Sequence, residues 1–439
     1  LSALFGLVKH MKVKSLKGIS EVEMRGILER RSEVREAMKT VKTIIEEVRG
    51  KGDEALVRYT EKYDGVSVTP SEMRVSRNEV VEAYSKTPKK VVEAIRFAAE
   101  NIRSFHEKQI TTFTLEKISG VKLKQIIRPV ECAGIYVPGG RAAYPSTVLM
   151  AAIPAKVAGV KRTVVCTPPN RDGGIRPEVL VACNEAGVTD IFKVGGAQAI
   201  AAMAYGTETV PKADVVVGPG NIYVTAAKLL VSADVRVDLP AGPSEVLVLA
   251  DETCNPRFVA ADIVSQAEHD PAASVILVTT SKKVAEEIEK IAYELAMRVK
   301  TRSVAVNALD RGWCILAENL DEAIEFINRY APEHLELHVK EPYEVLDKIV
   351  NAGAVFIGGY TPVALGDYAA GSNHVLPTGG YAKNFSGLSV ENFIKRISVV
   401  ECDRRGFKAL SESVIILAEA EGMYAHAQAV RLRLEEDEG

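Results

Sequence analysis

From about residue 119 onward, short runs of β-branched residues end in glycine turns and give way to alanine-rich helical stretches. The units are GIYVPGG (134–140), RTVVCTPP (162–169), DIFKVGG (190–196) before AQAIAAMAYG, and ADVVVGPG (213–220) before NIYVTAAKLL. No other feature constrains the chain as much. Runs this apolar are buried on both faces, and parallel strands need a helix-length crossover between them. The pattern predicts a parallel sheet with helices on its faces. A further strand is expected at VRVDLP (235–240). SEVLVLAD and SVILVTT read as two more buried strands separated by a helix around 256–267, so a second α/β unit begins near 244.

Before the repetition, residues 20–118 carry apolar positions at three- and four-residue spacing in a charged background, the signature of amphipathic helices. Gly50 and Gly52 separate two of them, and His106 in the third is expected at a surface or interface. Residues 331–388 turn irregular and glycine-rich, and only AVFIGG reads plainly as a strand. A stretch of this kind in a compact enzyme is usually binding loop. SVIILAEAEGMYAHAQAVRLRL predicts two helical segments broken near Gly422, and the acidic EEDEG end is expected to fray.

At 439 residues and 47% apolar composition the chain is too long for one typical domain. Lys and Arg number 55 against 58 Asp and Glu, which gives no electrostatic reason for a nucleic-acid partner. No apolar run reaches the ~20 residues a membrane helix needs. The opening LSALFGLVKH lacks a basic leader and a cleavage site, MKVKSLKG from Met11 looks like an ordinary start, and residues 1–10, with His10, are given no function. Cys132, Cys166, Cys183, Cys254, Cys314 and Cys402 are scattered without a CxxC, so a disulfide framework or zinc-thiolate knuckle is not expected. Free thiols in a reducing compartment, the cytoplasm, are expected instead.

The turns VPGG, VGGAQA and VGPGN bring backbone N–H groups to helix starts, where an anion binds well. A nucleotide cofactor, another anionic ligand and a purely structural turn all remain open on these residues alone. Tyr136, Gln198 and Asn221 offer a ring and amides beside the turns; no acidic residue for a ribose can be placed. In SQAEHDP (265–271), Gln266 and His269 share one helical face ahead of a proline stop. Imidazole, carboxylate and amide oxygen together suit zinc, and His269, Asp367 and His426 could converge through the fold. On residue chemistry alone, separate satisfied polar groups are the simpler reading, and glutamine is an unusual zinc donor. Glu333-His334 pairs a carboxylate with a side chain that titrates near neutrality. His338 is expected on a strand or at the surface.

GIYVPGG, GGAQAI, VVVGPGN, DLPAGPSEVLV, SQAEHDP, APEHLEL, GDYAAGSNHVLPT and NFSGLSV follow one another in this order. In that order they resemble the histidinol dehydrogenase family, and the resemblance covers roughly residues 20–430. It implies an α/β fold of two incomplete Rossmann-like domains with parallel sheets and small N- and C-terminal helical segments. The implied domains are an extension and arm at 1–29, a large α/β domain from 30–133 with 244–388, an NAD-binding domain at 134–243, and a small C-terminal domain at 389–439.

The resemblance also implies a site. Gln266, His269, Asp367 and His426 would hold one zinc ion per subunit. Glu333 and His334 would be the acid–base pair. Ser244, His374 and Glu421 would join His334 and the metal set in contacting substrate, and Tyr136, Gln198 and Asn221 would contact NAD+ as co-substrate. The implied activity is oxidation of L-histidinol through bound L-histidinaldehyde to L-histidine, in an intertwined homodimer whose C-terminal tails complete each other's sites. The alternatives are a zinc-assisted dehydrogenase of another amino alcohol, or a metabolite-binding protein on the same fold.

Overall fold

The structure, a computed structural model, describes residues 11–30, 34–139, 144–238 and 242–438. Residues 1–10 of the expected extension and arm, with His10, and parts of the GIYVPGG and VRVDLP stretches lie outside them. In chain order the strands are β1 (Lys12–Ser15), β2 (Thr114–Leu115), β3 (Val121–Pro129), β4 (Cys132–Tyr136), β5 (Arg162–Thr167), β6 (Asp190–Lys193), β7 (Val215–Val217), β8 (Arg236–Val237), β9 (Glu245–Ala250), β10 (Ser274–Thr279), β11 (Trp313–Leu316), β12 (His334–His338), β13 (Ala354–Ile357) and β14 (Ile394–Cys402).

Two sheets are wholly parallel, as the βα repetition predicts. One has the order β6-β5-β4-β7-β8. The other has the order β1-β11-β10-β9-β12-β13. Apart from β1, which extends one edge by pairing Lys12 with Trp313, the two follow the same winding. Each starts centrally, steps twice to one side, then crosses back. The direction of winding reverses between β4 and β7 in the first sheet and between β9 and β12 in the second. Ligands in such folds gather outside the carboxyl ends of the strands at these reversals.

The five-stranded sheet shares its core with the N-terminal helices. Val164, Cys166 and Phe192 pack in one cluster with Val41, Ile44 and Val48 of the helix Val34–Lys51 and Leu56 of Asp53–Asp64. Sequence grouping placed residues 30–133 with 244–388, but this apolar stripe belongs to the other sheet. The six-stranded sheet is covered on one face by the helices Pro256–Ala267, Lys282–Ala296 and Arg302–Arg311, and on the other by Leu320–Tyr330.

Residues 108–130 and those from 394 onward form a compact unit of their own. In it β3 pairs antiparallel with β14 along its whole length, from Pro129↔Ile394 to Val121↔Cys402, which draws 108–130 out of the large domain where sequence grouping left it. β2 adds to the same sheet, and the helices Arg404–Ala420 and Tyr424–Glu438 complete the unit.

Two local expectations are corrected. HLELH, read as part of an irregular stretch, is the buried strand β12 between β9 and β13. Its polar residues point into the protein: His334, Glu336 and His338 lie opposite Val246, Val248 and Ala250, while Leu335 and Leu337 fill the core on the other face. Polar–apolar alternation normally marks a strand with one wet face; here the polar face is buried as fully as the apolar one. His106, expected at a surface or interface, is fully buried within the chain, donating from Nδ1 to the Ile102 carbonyl at 2.7 Å, with Nε2 3.4 Å from the Asn373 amide.

The turn after β7 shows why glycine stands there. Gly218 has φ +119°, and a Cβ on it would run into the Tyr136 carbonyl oxygen. Its N–H donates to Asp238 at 2.8 Å and its carbonyl accepts from Lys228 at 2.9 Å, with those two side chains paired at 2.6 Å in the interior. Gly218→Ala should therefore cost about 1–3 kcal/mol, as overpacking does. The denaturation midpoint measured against the unsubstituted chain checks this.

Candidate active site

The site grows from the amino edge of the six-stranded sheet. β9 and β12 are neighbours in register, and that sets Glu245 beside Glu333 and His334. The Glu245 N–H donates to Glu333 Oε2 at 2.7 Å, and the Glu245 carbonyl lies 2.9 Å from His334 Nδ1. A carbonyl only accepts, so Nδ1 carries a proton and Nε2 is the end free to exchange one. Nε2 is buried, has no hydrogen-bond partner, and faces Asp367 Oδ1 at 3.6 Å. Glu333 Oε2 lies 3.4 Å from Nδ1.

Burial alone would lower the His334 pKa, but Glu333 and Asp367 outweigh it and hold the ring well above the ordinary imidazole value. Burial raises the Glu333 carboxyl, with His334 opposing. For Asp367 burial also pushes upward, yet His334, His374 and His269 together hold it below the usual carboxylate range. One carboxylate thus lies within the field of three imidazoles.

Asp367 sits on the short helix Val363–Tyr368. Its carbonyl accepts from His374 Nδ1 at 2.9 Å, and His374 Nε2 is 3.3 Å from Thr147 Oγ1. Burial lowers the His374 pKa. Gln266, in the last turn of Pro256–Ala267, is 1% exposed, and its Nε2 has no partner. His269, just beyond, is exposed. Ser244 is half-buried and immediately precedes β9. Turned so that its oxygen takes the orphaned position, the buried Gln266 amide joins an imidazole and a carboxylate in a donor set that fits a zinc-like ion. Glu421 and His426 belong to the second unit, at the end of Arg404–Ala420 and in the first turn of Tyr424–Glu438, and both are exposed.

Among the described residues, three His, Cys, Asp or Glu side chains bring ligand atoms within 4.8 Å of one another at one place only, Asp262, Glu336 and His338. That cluster is distinct from the set expected from sequence.

Tyr136, Gln198 and Asn221 lie at or just beyond the carboxyl ends of β4, β6 and β7, and the winding of the five-stranded sheet reverses between β4 and β7. Tyr136 ends β4, and its hydroxyl accepts from the Gly196 N–H at 3.2 Å. Gln198 lies in the first turn of Gly196–Tyr205, 1% exposed, with Nε2 unpartnered. Asn221 caps Ile222–Val231, its Oδ1 accepting from Tyr223 at 3.0 Å and Val224 at 3.1 Å, so its NH₂ remains for a ligand.

Glu245 was missed as a site residue. Besides its backbone contacts, its carboxylate takes two bonds from Arg30, at 2.7 and 3.0 Å, and one from the Gly379 N–H at 2.9 Å. The Arg30 guanidinium lies 3.6 Å over the Tyr330 ring. The one available signal was a charged residue opening the otherwise apolar run EVLVLA.

The sequence profile described as histidinol dehydrogenase matches residues 28–434. A histidinol dehydrogenase of Methanocaldococcus jannaschii is 50% identical, covering 98% of this chain and 100% of that protein. One from Methanosarcina mazei is 48% identical over 96% and 98%. The crystal structure of histidinol dehydrogenase from Elizabethkingia anophelis superposes with a TM-score of 0.93 at 40% identity, covering 98% of this chain and 99% of that one. With profile, relatives and three-dimensional structure in agreement over nearly all its length, the chain belongs to the histidinol dehydrogenase family.

Proposed function

We propose that this chain oxidises L-histidinol to L-histidine in two NAD+-dependent steps, with L-histidinaldehyde held in the site between them. The observation that supports this most is His334: its Nδ1 is fixed on the Glu245 carbonyl, its Nε2 is unpartnered, and a buried carboxylate stands beside it. In the first step Nε2, with the ring in its deprotonated form, takes the alcohol proton as hydride passes to the nicotinamide; because Glu333 and Asp367 hold the pKa well above the ordinary imidazole value, the share of that form grows as pH rises. The two carboxylates that raise its proton affinity make it a strong acceptor. In the second, Glu333, whose own proton affinity burial raises, draws a proton from a water that adds to the aldehyde carbon, while Nε2 returns its proton to the aldehyde oxygen and so becomes a base again. The resulting hydrate gives its hydroxyl proton to Nε2 as a second hydride leaves to a second NAD+. The sum is one alcohol, two NAD+ and one water giving one carboxylate, two NADH and protons.

Gln266, His269, Asp367 and His426 would hold one zinc ion, which when bound orients the substrate by its nitrogen atoms. Tyr136, Gln198 and Asn221 would line the NAD+ site. Ser244, His374 and Glu421 would complete the substrate pocket. We place Glu421 and His426 in the site of a second copy, in a homodimer. Both are exposed, and their unit also exposes Ile416, Leu417, Met423 and Tyr424, an apolar set suited to burial against a partner. The free thiols suit the reducing cytoplasm; among the described residues no helix is long and apolar enough to cross a membrane.

The division of labour is tested with Glu333→Gln. The amide keeps an oxygen to accept from the Glu245 N–H, so geometry survives while the base is lost. Aldehyde oxidation should fall by roughly 10²–10⁴ while alcohol oxidation falls far less. Rates measured separately with L-histidinol and L-histidinaldehyde check this, and equal losses in both steps would contradict it.

A further inference from the structure

We propose that Asp262, Glu336 and His338 form a buried bracket that sets the spacing of Gln266, His334 and Asp367, with Glu336 as its central positioning residue. The proposal rests on the zinc-ligand reading above for two of those three residues, and on the acid–base reading for the third.

Glu336 is fully buried in the middle of β12. Its Oε1 accepts from the Val363 N–H at 3.0 Å, and its Oε2 lies 3.2 Å from His338 Nε2. The same Nε2 is 3.8 Å from Asp262 Oδ2. Burial first, and then the Glu336 charge, pushes the Asp262 carboxyl up to about 8, so it keeps its proton and can donate. The cluster has the composition of a cation site, but both Glu336 oxygens are taken, one by His338 and one by a backbone N–H, with Asp262 at 3.8 Å from the same imidazole nitrogen. A buried network satisfied in this way rigidifies what it connects.

What it connects is specific. Asp262 is one helical turn before Gln266 on Pro256–Ala267. Glu336 is two residues after His334, on the same face of β12. Val363 is one helical turn before Asp367 on Val363–Tyr368. A helical turn of four residues and a strand step of two both advance about 6–7 Å. All three site residues are therefore offset from the bracket by about one common distance. The directions agree between β12 and Val363–Tyr368: Glu336 meets Val363, while His334 meets Asp367 at 3.6 Å, so helix and strand run side by side in opposite directions. In the six-stranded sheet the bracket fills the carboxyl half of the reversal between β9 and β12, where this topology usually seats a ligand, and the chemistry sits at the amino edge instead.

The test compares Glu336→Gln with Leu337→Val, a packing change on the opposite face of the same strand. Zinc affinity is read by competition with a chromogenic chelator, zinc per chain by elemental analysis, and stability by thermal midpoint. Glu336→Gln should weaken zinc about 10–100-fold, the cost typical of removing an outer partner of a metal ligand, and should lower kcat for L-histidinol. Leu337→Val should lower the midpoint and leave zinc affinity unchanged. His338→Gln, which keeps an N–H for Glu336, should retain most of the affinity that His338→Leu loses; this pair replaces the first if Glu336→Gln fails to fold.

Equal zinc affinity in Glu336→Gln and the unsubstituted chain, or equal weakening in Leu337→Val, would overturn the bracket. So would two zinc ions per chain with one lost in Glu336→Gln, since the cluster would then be a cation site. If the unsubstituted chain takes no zinc, the ligand reading fails by itself. The bracket is then decided by kcat: a fall in Glu336→Gln beyond that in Leu337→Val upholds it, and an equal fall overturns it.

Discussion

His334→Ala should lower turnover of L-histidinol and of L-histidinaldehyde alike, each by roughly 10²–10⁴, the range expected when a general base is removed. In the proposed mechanism the two losses are coupled, because one atom, Nε2, serves both hydride transfers. Its competing end is already committed, with Nδ1 on the Glu245 carbonyl at 2.9 Å. No described neighbour stands ready to replace it. Asp367, 3.6 Å away, is held below the ordinary carboxylate range and is a poor acceptor, and Glu333 lies on the Nδ1 side. Steady-state rates with each substrate check the prediction. A loss confined to one half-reaction would show that the two steps use different bases.

His269→Ala should abolish activity by a separate route, loss of the metal. His269 is exposed at the end of the Pro256–Ala267 helix, so its removal should leave the thermal midpoint of the metal-free chain nearly unchanged. Zinc affinity should fall by more than the roughly 10–100-fold that an outer partner costs, because a direct donor is gone. Zinc retained per chain after dialysis against a chelator, read beside the midpoint, separates ligand loss from unfolding. A variant that keeps its zinc and loses activity would remove His269 from the ligand set.

The parallel sheets were legible because each buried apolar run ended in small residues before a helix, as in VVVGPGN and DIFKVGG. β12 was not, because HLELH alternates like a strand with one wet face, and the groups that face its polar side, Asp262 and Val363, are remote in sequence. Glu333, His334, Asp367 and Gln266 could be named from their motifs. Their mutual arrangement could not: it depends on the β9–β12 register, which brings Glu245 to residues 88 and 89 positions later in the chain. His106 misled for a related reason, since its partner Asn373 arrives from a distant loop. Glu421 carried no local signal of a site and entered through the family resemblance alone, while His426 offered only an imidazole that could converge with others through the fold.

The two sheets share a winding and use it differently. Tyr136, Gly196, Gln198 and Asn221 stand at or beside the carboxyl ends of the five-stranded sheet, the usual place for a dinucleotide in this topology. Glu333 and His334 stand at the amino edge of the six-stranded sheet, with the backbone of Glu245 as their common support. The proposed reaction joins the two by passing hydride from one to the other twice.

The count of NADH formed per L-histidinol consumed, followed by absorbance with and without a chelator, tests that account most directly. Two NADH per substrate, lost on chelation and restored by zinc, is the predicted result. One NADH with aldehyde released to solution would contradict it, leaving an alcohol dehydrogenase in which Glu333 has no second step to serve.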